Sequence, residues 1–205
     1  MMMRVVLAAT LLCWASAASA FTGCTKPERE KITSALSNAK SLAVFAAAAV
    51  GDDEIYEKWF GKFSLEGAEV VRRTLKTVAG AIRSGTVTTK CRTIADETCQ
   101  ANAYAYVYGD EPYNIYLCPR FFHLPEIGSL RPGSLFSDNG TRAGTIIHEL
   151  SHFDITGQTK DHCYTRRLCL AFAESDPVLA VNNADSFQYF AEDIVHFMQR
   201  EDRQP

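Results

Sequence analysis

The amino-acid sequence predicts an α+β fold, one mostly helical domain with a small mixed or antiparallel sheet. Three observations predict it. Apolar residues recur at helical spacing through the first third of the chain and again near its end. Between those stretches lie short β-branched and aromatic runs broken by turn residues. The length, 205 residues, is that of one globular domain, and 47% hydrophobic against 22% charged residues is enough to bury a core.

Taken in order, Thr25 with Pro27 opens a helix that runs amphipathic, then Ala-rich, to about Val50, where Gly51-Asp52-Asp53 stops it. Residues 54–60 read as a short helix. Leu65–Ile82 reads as a longer one, with Leu75, Val78 and Ile82 on one stripe. Thr86–Thr89, Ala103–Tyr108 and Tyr113–Leu117 read as strands, the last two separated by the turn Gly109-Asp110-Glu111-Pro112. Residues 124–142, rich in Pro, Gly, Ser and Asn, read as a surface loop carrying the glycosylation triplet Asn139-Gly140-Thr141. Helix returns over 144–154 and from about Tyr164 to Ser175. Asp176-Pro177 opens a short turn, and Ala184–Met198 forms a last amphipathic helix.

The first twenty residues read as a signal peptide: Arg4 as the basic region, Val5–Trp14 as the apolar run, and Ala18-Ser19-Ala20 as the cleavage pattern. The chain is therefore expected to be secreted, with its domain over 21–205 and no large propeptide before Phe21. No apolar run is long enough to span a bilayer, so no membrane partner is expected. A formal net charge of −3 argues against a nucleic-acid surface, which needs clustered Lys and Arg. Cys13 leaves with the signal. The remaining Cys24, Cys91, Cys99, Cys118, Cys163 and Cys169 read as three disulfides, with about fifteen connectivities open from counting alone. None has the spacing of a cysteine–zinc site.

The chemistry is concentrated in His148-Glu149-Leu150-Ser151-His152. Residues four apart lie nearly in line on a helix, so both imidazoles can reach one metal ion. Glu149, roughly 100° around the helix from His148, is badly placed as a ligand but well placed to take a proton from a water that such an ion activates. This is the arrangement of a zinc peptidase. The plain alternative is a solvated helix, but Ile146, Ile147, Leu150 and Phe153 surround the motif, and burying two His and a Glu without partners is costly. A metzincin would carry Gly and His where Ile155 and Gln158 stand. The third ligand is therefore open between Glu174, as in a thermolysin-like site, and Asp161, beyond the turn Thr156-Gly157-Gln158-Thr159. His162 competes, although adjacent side chains point apart.

Beyond the motif, the chain carries Gly23-Cys24-Thr25, Trp59-Phe60-Gly61, Ala105-Tyr106-Val107-Tyr108, Ile115-Tyr116-Leu117-Cys118, Ala143-Gly144-Thr145, Thr159-Lys160-Asp161, Asn183-Ala184-Asp185 and Tyr189-Phe190-Ala191-Glu192. With these it resembles the deuterolysin and peptidyl-Lys metalloendopeptidase group, the aspzincins, over most of its length, and is most similar to the lysine-specific branch. The resemblance implies a single zincin-like metallopeptidase domain holding one zinc ion per chain through His148, His152 and Asp161. It implies Glu149 as general base and Tyr164 as the hydroxyl that stabilises the oxyanion. Asp185 would face a basic side chain just after the scissile bond, as substrate-binding residue. Asp185 can equally be a helix cap, and Tyr164 a packing residue. The implied disulfides are Cys24–Cys91 and Cys99–Cys118. Cys163 and Cys169 are left, and a straight helix would hold them about 9 Å apart, so a bridge requires the chain to turn between Tyr164 and Leu168.

Two departures from the family pattern stand out. His162-Cys163-Tyr164-Thr165 replaces the familiar Tyr-Ala-Tyr-Gly, and the Cys91–Cys99 segment is longer. The expected partners are protein or peptide substrates, met by a monomer. The competing expectations are the thermolysin-like peptidase using Glu174 and a secreted binding protein on the same scaffold. An intact Glu149 and Tyr164 argue against the latter.

Overall fold

The computed structural model describes residues 20–129 and 138–201, the side chains of 196–201 excepted. The signal-peptide reading, all but Ala20, and the middle of the loop over 124–142 lie outside the described residues. Helix α1 (Lys26–Ala49) starts at a capping box: the Thr25 side chain accepts from the Glu28 amide, and the Glu28 carboxylate accepts from the Thr25 amide at 2.7 Å. Its buried face is built from Ala35, Ala39, Ala43, Ala46 and Ala47 around Leu42. Those small side chains let α3 (Leu65–Ser84) lie close along it, presenting Val71, Leu75 and Val78. Between them, Asp53 caps the short α2 (Glu54–Phe60), which delivers Tyr56, Trp59 and Phe60 to the core.

The sheet has the order β1-β2-β4-β3. Strands β1 (Phe21–Thr22) and β2 (Thr88–Cys91) are parallel, as are β2 and β4 (Asn114–Leu117). Strand β3 (Ala105–Tyr106) closes the far edge antiparallel to β4, with Tyr106 opposite Tyr116. The expected strand over 103–108 is thus shorter, and the first strand begins later than Thr86. Strand β1 and helix α4 (Glu97–Gln100) were not anticipated, both being too short to show a period. The Ala20 carbonyl continues the first pairing by accepting from the Thr89 amide at 2.9 Å. Disulfides Cys24–Cys91 and Cys99–Cys118 staple this region, and Cys163–Cys169 joins the remaining pair. The α+β expectation and the three-disulfide count both hold.

The C-terminal half supplies α5 (Arg142–Ser151), α6 (Arg166–Ser175), α7 (Pro177–Ala180) and α8 (Ala184–Glu201). α5 and α8 pack on each other and on α1, and α2 packs on α6 and α8. At that last junction Arg166 lies 4.6 Å from the Tyr189 ring and 5.1 Å from the Trp59 ring. It donates to Asp193 at 2.6 Å and to Glu192 at 3.1 Å. Asp193 also accepts from Lys58 at 2.7 Å and the Trp59 indole at 3.0 Å. Both carboxylates are fully buried, so breaking the cluster by removing Arg166 costs about 3–5 kcal/mol.

Candidate metal centre

Every residue of α5 is buried, including His148 and Glu149. The helix can afford this because its ends are fastened. Thr141 accepts from the Gly144 amide at 3.0 Å, while its own amide and hydroxyl both donate to the buried Glu192 carboxylate at 2.8 Å. Gly144 faces α8, where a Cβ would run into Glu192. The absence of a side chain there brings α8 close enough for Asp185 to reach His148.

After His152 the chain folds back. Gly157 and Thr159 donate their amides to the Ser151 carbonyl, each at 3.2 Å, and a Cβ on Gly157 would press on Thr74. Ser151, inside the motif, bonds through its hydroxyl to the Thr159 hydroxyl at 2.6 Å. Lys160 then bridges to Asn183: its amide donates to Asn182 and its carbonyl accepts from Ala184. The Asn183 side-chain oxygen accepts from the amides of His162 and Cys163 at 2.9 and 3.1 Å. These bonds return Asp161 to the face of α5 that carries the two histidines.

The result is a group of three ligand atoms lying within 4.8 Å of one another, from His148, His152 and Asp161. Asp161 Oδ1 stands 3.2 Å from His148 Nε2 and 3.4 Å from His152 Nε2. Ligands at about 2.0–2.1 Å from a tetrahedral zinc ion stand about 3.3–3.4 Å apart, which these separations match. The second nitrogens are engaged behind the site. His148 Nδ1 meets Asp185 Oδ1 at 2.7 Å, and His152 Nδ1 meets the Thr159 carbonyl at 2.8 Å. A carbonyl only accepts, so His152 carries its proton on Nδ1 and turns a lone pair into the site. The donor set and its outer partners fit a zinc ion.

The electrostatics agree. Burial pulls the His148 pKa down, but the Asp161 and Asp185 carboxylates outweigh it and raise it well above the ordinary value. The site therefore favours positive charge at its centre. His152 is lowered by burial and by His148. Partial burial raises Asp161, but the hydrogen bond from His148 and the charges of both imidazoles bring it down to about 2. Burial pushes Glu149 up to about 7, His148 opposing and the two aspartates adding. That is the range in which a carboxylate exchanges protons at neutral pH. Tyr164, hydrogen-bonded to Asp161, is raised by burial and by that carboxylate, so it stays a phenol able to donate.

Glu174 is exposed on α6 and stands outside the metal group; His162 is also exposed, its ring stacked 5.9 Å from Phe172. Asp185 is only 5% exposed, with Oδ1 on His148 and Oδ2 accepting from the Thr165 amide at 2.8 Å. It is thus already held on both oxygens while still bordering the cleft. Ser151, Thr159 and Thr165 sit within quoted segments, but no role was assigned to them, and nothing in the sequence marks their hydrogen bonds. Thr165 has φ 70° and ψ 148°, a region that belongs to glycine, at about 1–3 kcal/mol for a branched side chain. Its hydroxyl is buried without a hydrogen-bond partner among the described residues.

The group opens on a cleft of about 770 Å³. Residues of the edge strand β3 and its flanks line it together with Tyr164, Thr165, Asp185 and Gln188.

The profile of the family described as lysine-specific metallo-endopeptidase, aspzincin M35, matches residues 45–192. An "Extracellular protease" of Aeromonas hydrophila is 33% identical over 86% of this chain, which spans 48% of that protein's length. A "Peptidyl-Lys metalloendopeptidase" of Pleurotus ostreatus is 31% identical over 84% of this chain and 95% of its own length. Among solved structures, a zinc peptidase from Grifola frondosa superposes with a TM-score of 0.70 at 28% identity, covering 83% of this chain and 97% of that one. The chain belongs to the aspzincin family of zinc metalloendopeptidases.

Proposed function

We propose that this protein is a secreted endopeptidase that holds one zinc ion per chain through His148, His152 and Asp161 and cleaves protein or peptide substrates as a monomer. The observation that carries the reading is the convergence of two imidazole nitrogens and one carboxylate oxygen on a single spot beside Glu149, inside an open cleft. Bound zinc supplies Lewis acidity, activating water and polarising the scissile carbonyl. Glu149 takes the proton of the attacking water and passes it to the leaving amine. Its burial, which disfavours a lasting negative charge, suits a group that gains and returns a proton. Tyr164 donates its hydroxyl to the carbonyl oxygen as negative charge develops there. Three disulfides, and a relative named as an extracellular protease, support export. No helix among the described residues is long and apolar enough to cross a membrane.

The test is direct. Purified protein should carry one zinc per chain and lose casein hydrolysis in a chelator. Glu149→Gln should keep the metal and lose turnover by about 10²–10⁴-fold, because it removes the base but no ligand. Full activity in that variant sinks the mechanism.

We infer a preference for Lys, or a basic residue, just after the scissile bond; two fungal relatives are named peptidyl-Lys metalloendopeptidases. Asp185 borders the cleft where it could face such a side chain. A second reading is favoured by its hydrogen bonds: Asp185 orients His148 and fixes its tautomer. A cleavage-site profile of wild type against Asp185→Asn separates the two. Loss of basic enrichment at retained zinc supports the first, and unchanged enrichment with weakened zinc supports the second.

A further inference from the structure

Tyr164 is 56% exposed, with its ring 6.5 Å from that of His148. With more than half of its surface open, packing alone does not fix it, and the backbone on either side carries its placement. On the N-terminal side, the Cys163 amide is bonded to Asn183 and its sulfur to Cys169, which is fully buried in the first turn of α6. On the C-terminal side, the Thr165 amide is bonded to Asp185, and Arg166 is clamped between Trp59 and Tyr189. Thr165 itself, at φ 70°, occupies a conformation that a branched residue leaves when free to do so. Glycine adopts that conformation without cost, so a threonine stays in it only where its neighbours hold it.

We propose that the Cys163–Cys169 crosslink is a positioning device for Tyr164. It closes the short loop around Thr165 and keeps the residue in its glycine-like conformation, and that conformation aims the Tyr164 hydroxyl at the cleft. The inference rests on the zinc-peptidase reading above. Asp161 has separate anchors through Lys160 and the Asn183 backbone. Opening the crosslink therefore disturbs Tyr164 far more than the metal ligands. Reduction by a dithiol gives the same opening: the reductant supplies two electrons and two protons, the sulfur–sulfur bond becomes two thiols, and the reductant closes to its own cyclic disulfide.

The test compares wild type with Cys163→Ser/Cys169→Ser. The double variant should lose kcat by about ten- to a hundredfold, since a misplacement of about 1 Å is enough for that. KM and zinc affinity, the latter by competition with a chelator, should stay within about threefold. In the metal-free protein, hydrogen exchange across 162–166 should speed by about tenfold while α5 is unchanged. Adding Thr165→Gly to the double variant should restore kcat severalfold, because the strained conformation no longer needs enforcing. The same measurements on wild type after dithiol treatment, with the opened cysteines mapped by alkylation, cover a variant that does not fold. Wild-type kcat with Cys163 and Cys169 opened, or unchanged exchange across 162–166, overturns the proposal. An absence of rescue by Thr165→Gly overturns the part assigned to Thr165. A wild type without zinc-dependent hydrolysis overturns the peptidase reading instead, and leaves the exchange measurement able to judge the loop.

Discussion

At the scale of single residues, the site divides into ligands and the groups that aim them. Asp185 is the sharpest case. Its 2.7 Å bond to His148 Nδ1 is made by a carboxylate that is itself bonded to the Thr165 amide, so one side chain ties α5 to the loop after Asp161. Asp185→Asn keeps the shape and removes the charge. We expect it to weaken zinc about 10–100-fold in a chelator competition, whereas Asp161→Ala abolishes zinc retention and Glu174→Ala leaves it unchanged. Loss of zinc in Glu174→Ala with retention in Asp161→Ala would return the site to the thermolysin-like arrangement. The two histidines were legible as a pair because their spacing is a property of the helix. Spacing alone left Asp161 as one of two carboxylates, and only the family resemblance chose it; the turn after His152 brings it beside the histidines. The positive φ of Thr165 could not be read from threonine itself, because a β-branched residue is an outlier there.

At the scale of elements, the metal site depends on how near α8 lies to α5. Gly144 sets that distance, since a Cβ there meets the Glu192 carboxylate, which already receives two hydrogen bonds from Thr141. Gly144→Ala should therefore destabilise the protein by about 1–3 kcal/mol in denaturant unfolding, and weaken zinc as His148 and Asp185 move apart. A variant as stable as wild type, with normal zinc affinity, would show that the helices can shift without loss. All the helices but the four-residue α4 were readable, from the capping box at Thr25 to the Asp176-Pro177 start of α7, because caps and periodicity are local. Strands β2, β3 and β4 were readable in place but not in extent, and β1 was not readable at all. The two residues of β3 pair with β4 through a register that no local pattern records. The packing of Ala-rich α1 against α3 was equally silent, since alanine marks a helix without naming its neighbour.

At the scale of the whole molecule, the buried cluster around Arg166 joins the first half of the chain to the last. Glu192 within it is pushed up to about 7 by burial and by Asp193, with Arg166 and the Thr141 hydrogen bonds opposing. Its ordinary value is 4.5, so the folded state prefers the protonated form. The stability this contributes is complete below pH 4.5, is lost as pH rises towards 7, and is gone above it. Subtracting the stability curve of Glu192→Gln from that of wild type, both measured in chelator, should leave a difference falling over that window and flat on either side. A flat difference throughout would mean that Arg166 keeps Glu192 ionised. None of this cluster was visible beforehand, because its members come from α2, α6 and α8 and no motif links them.

The same cluster has an optical consequence. Trp14 and Trp59 are the only tryptophans in the sequence, and Trp14 falls within the stretch read as a signal peptide. In a processed protein Trp59 would be the sole indole emitter, fully buried with the Lys58 ammonium 5.2 Å and the Arg166 guanidinium 5.1 Å from its ring. Intrinsic fluorescence would then come from one known address, a dry one, far along the chain from the metal ligands. A red shift on heating or in denaturant would report the opening of the junction that α2 makes with α6 and α8.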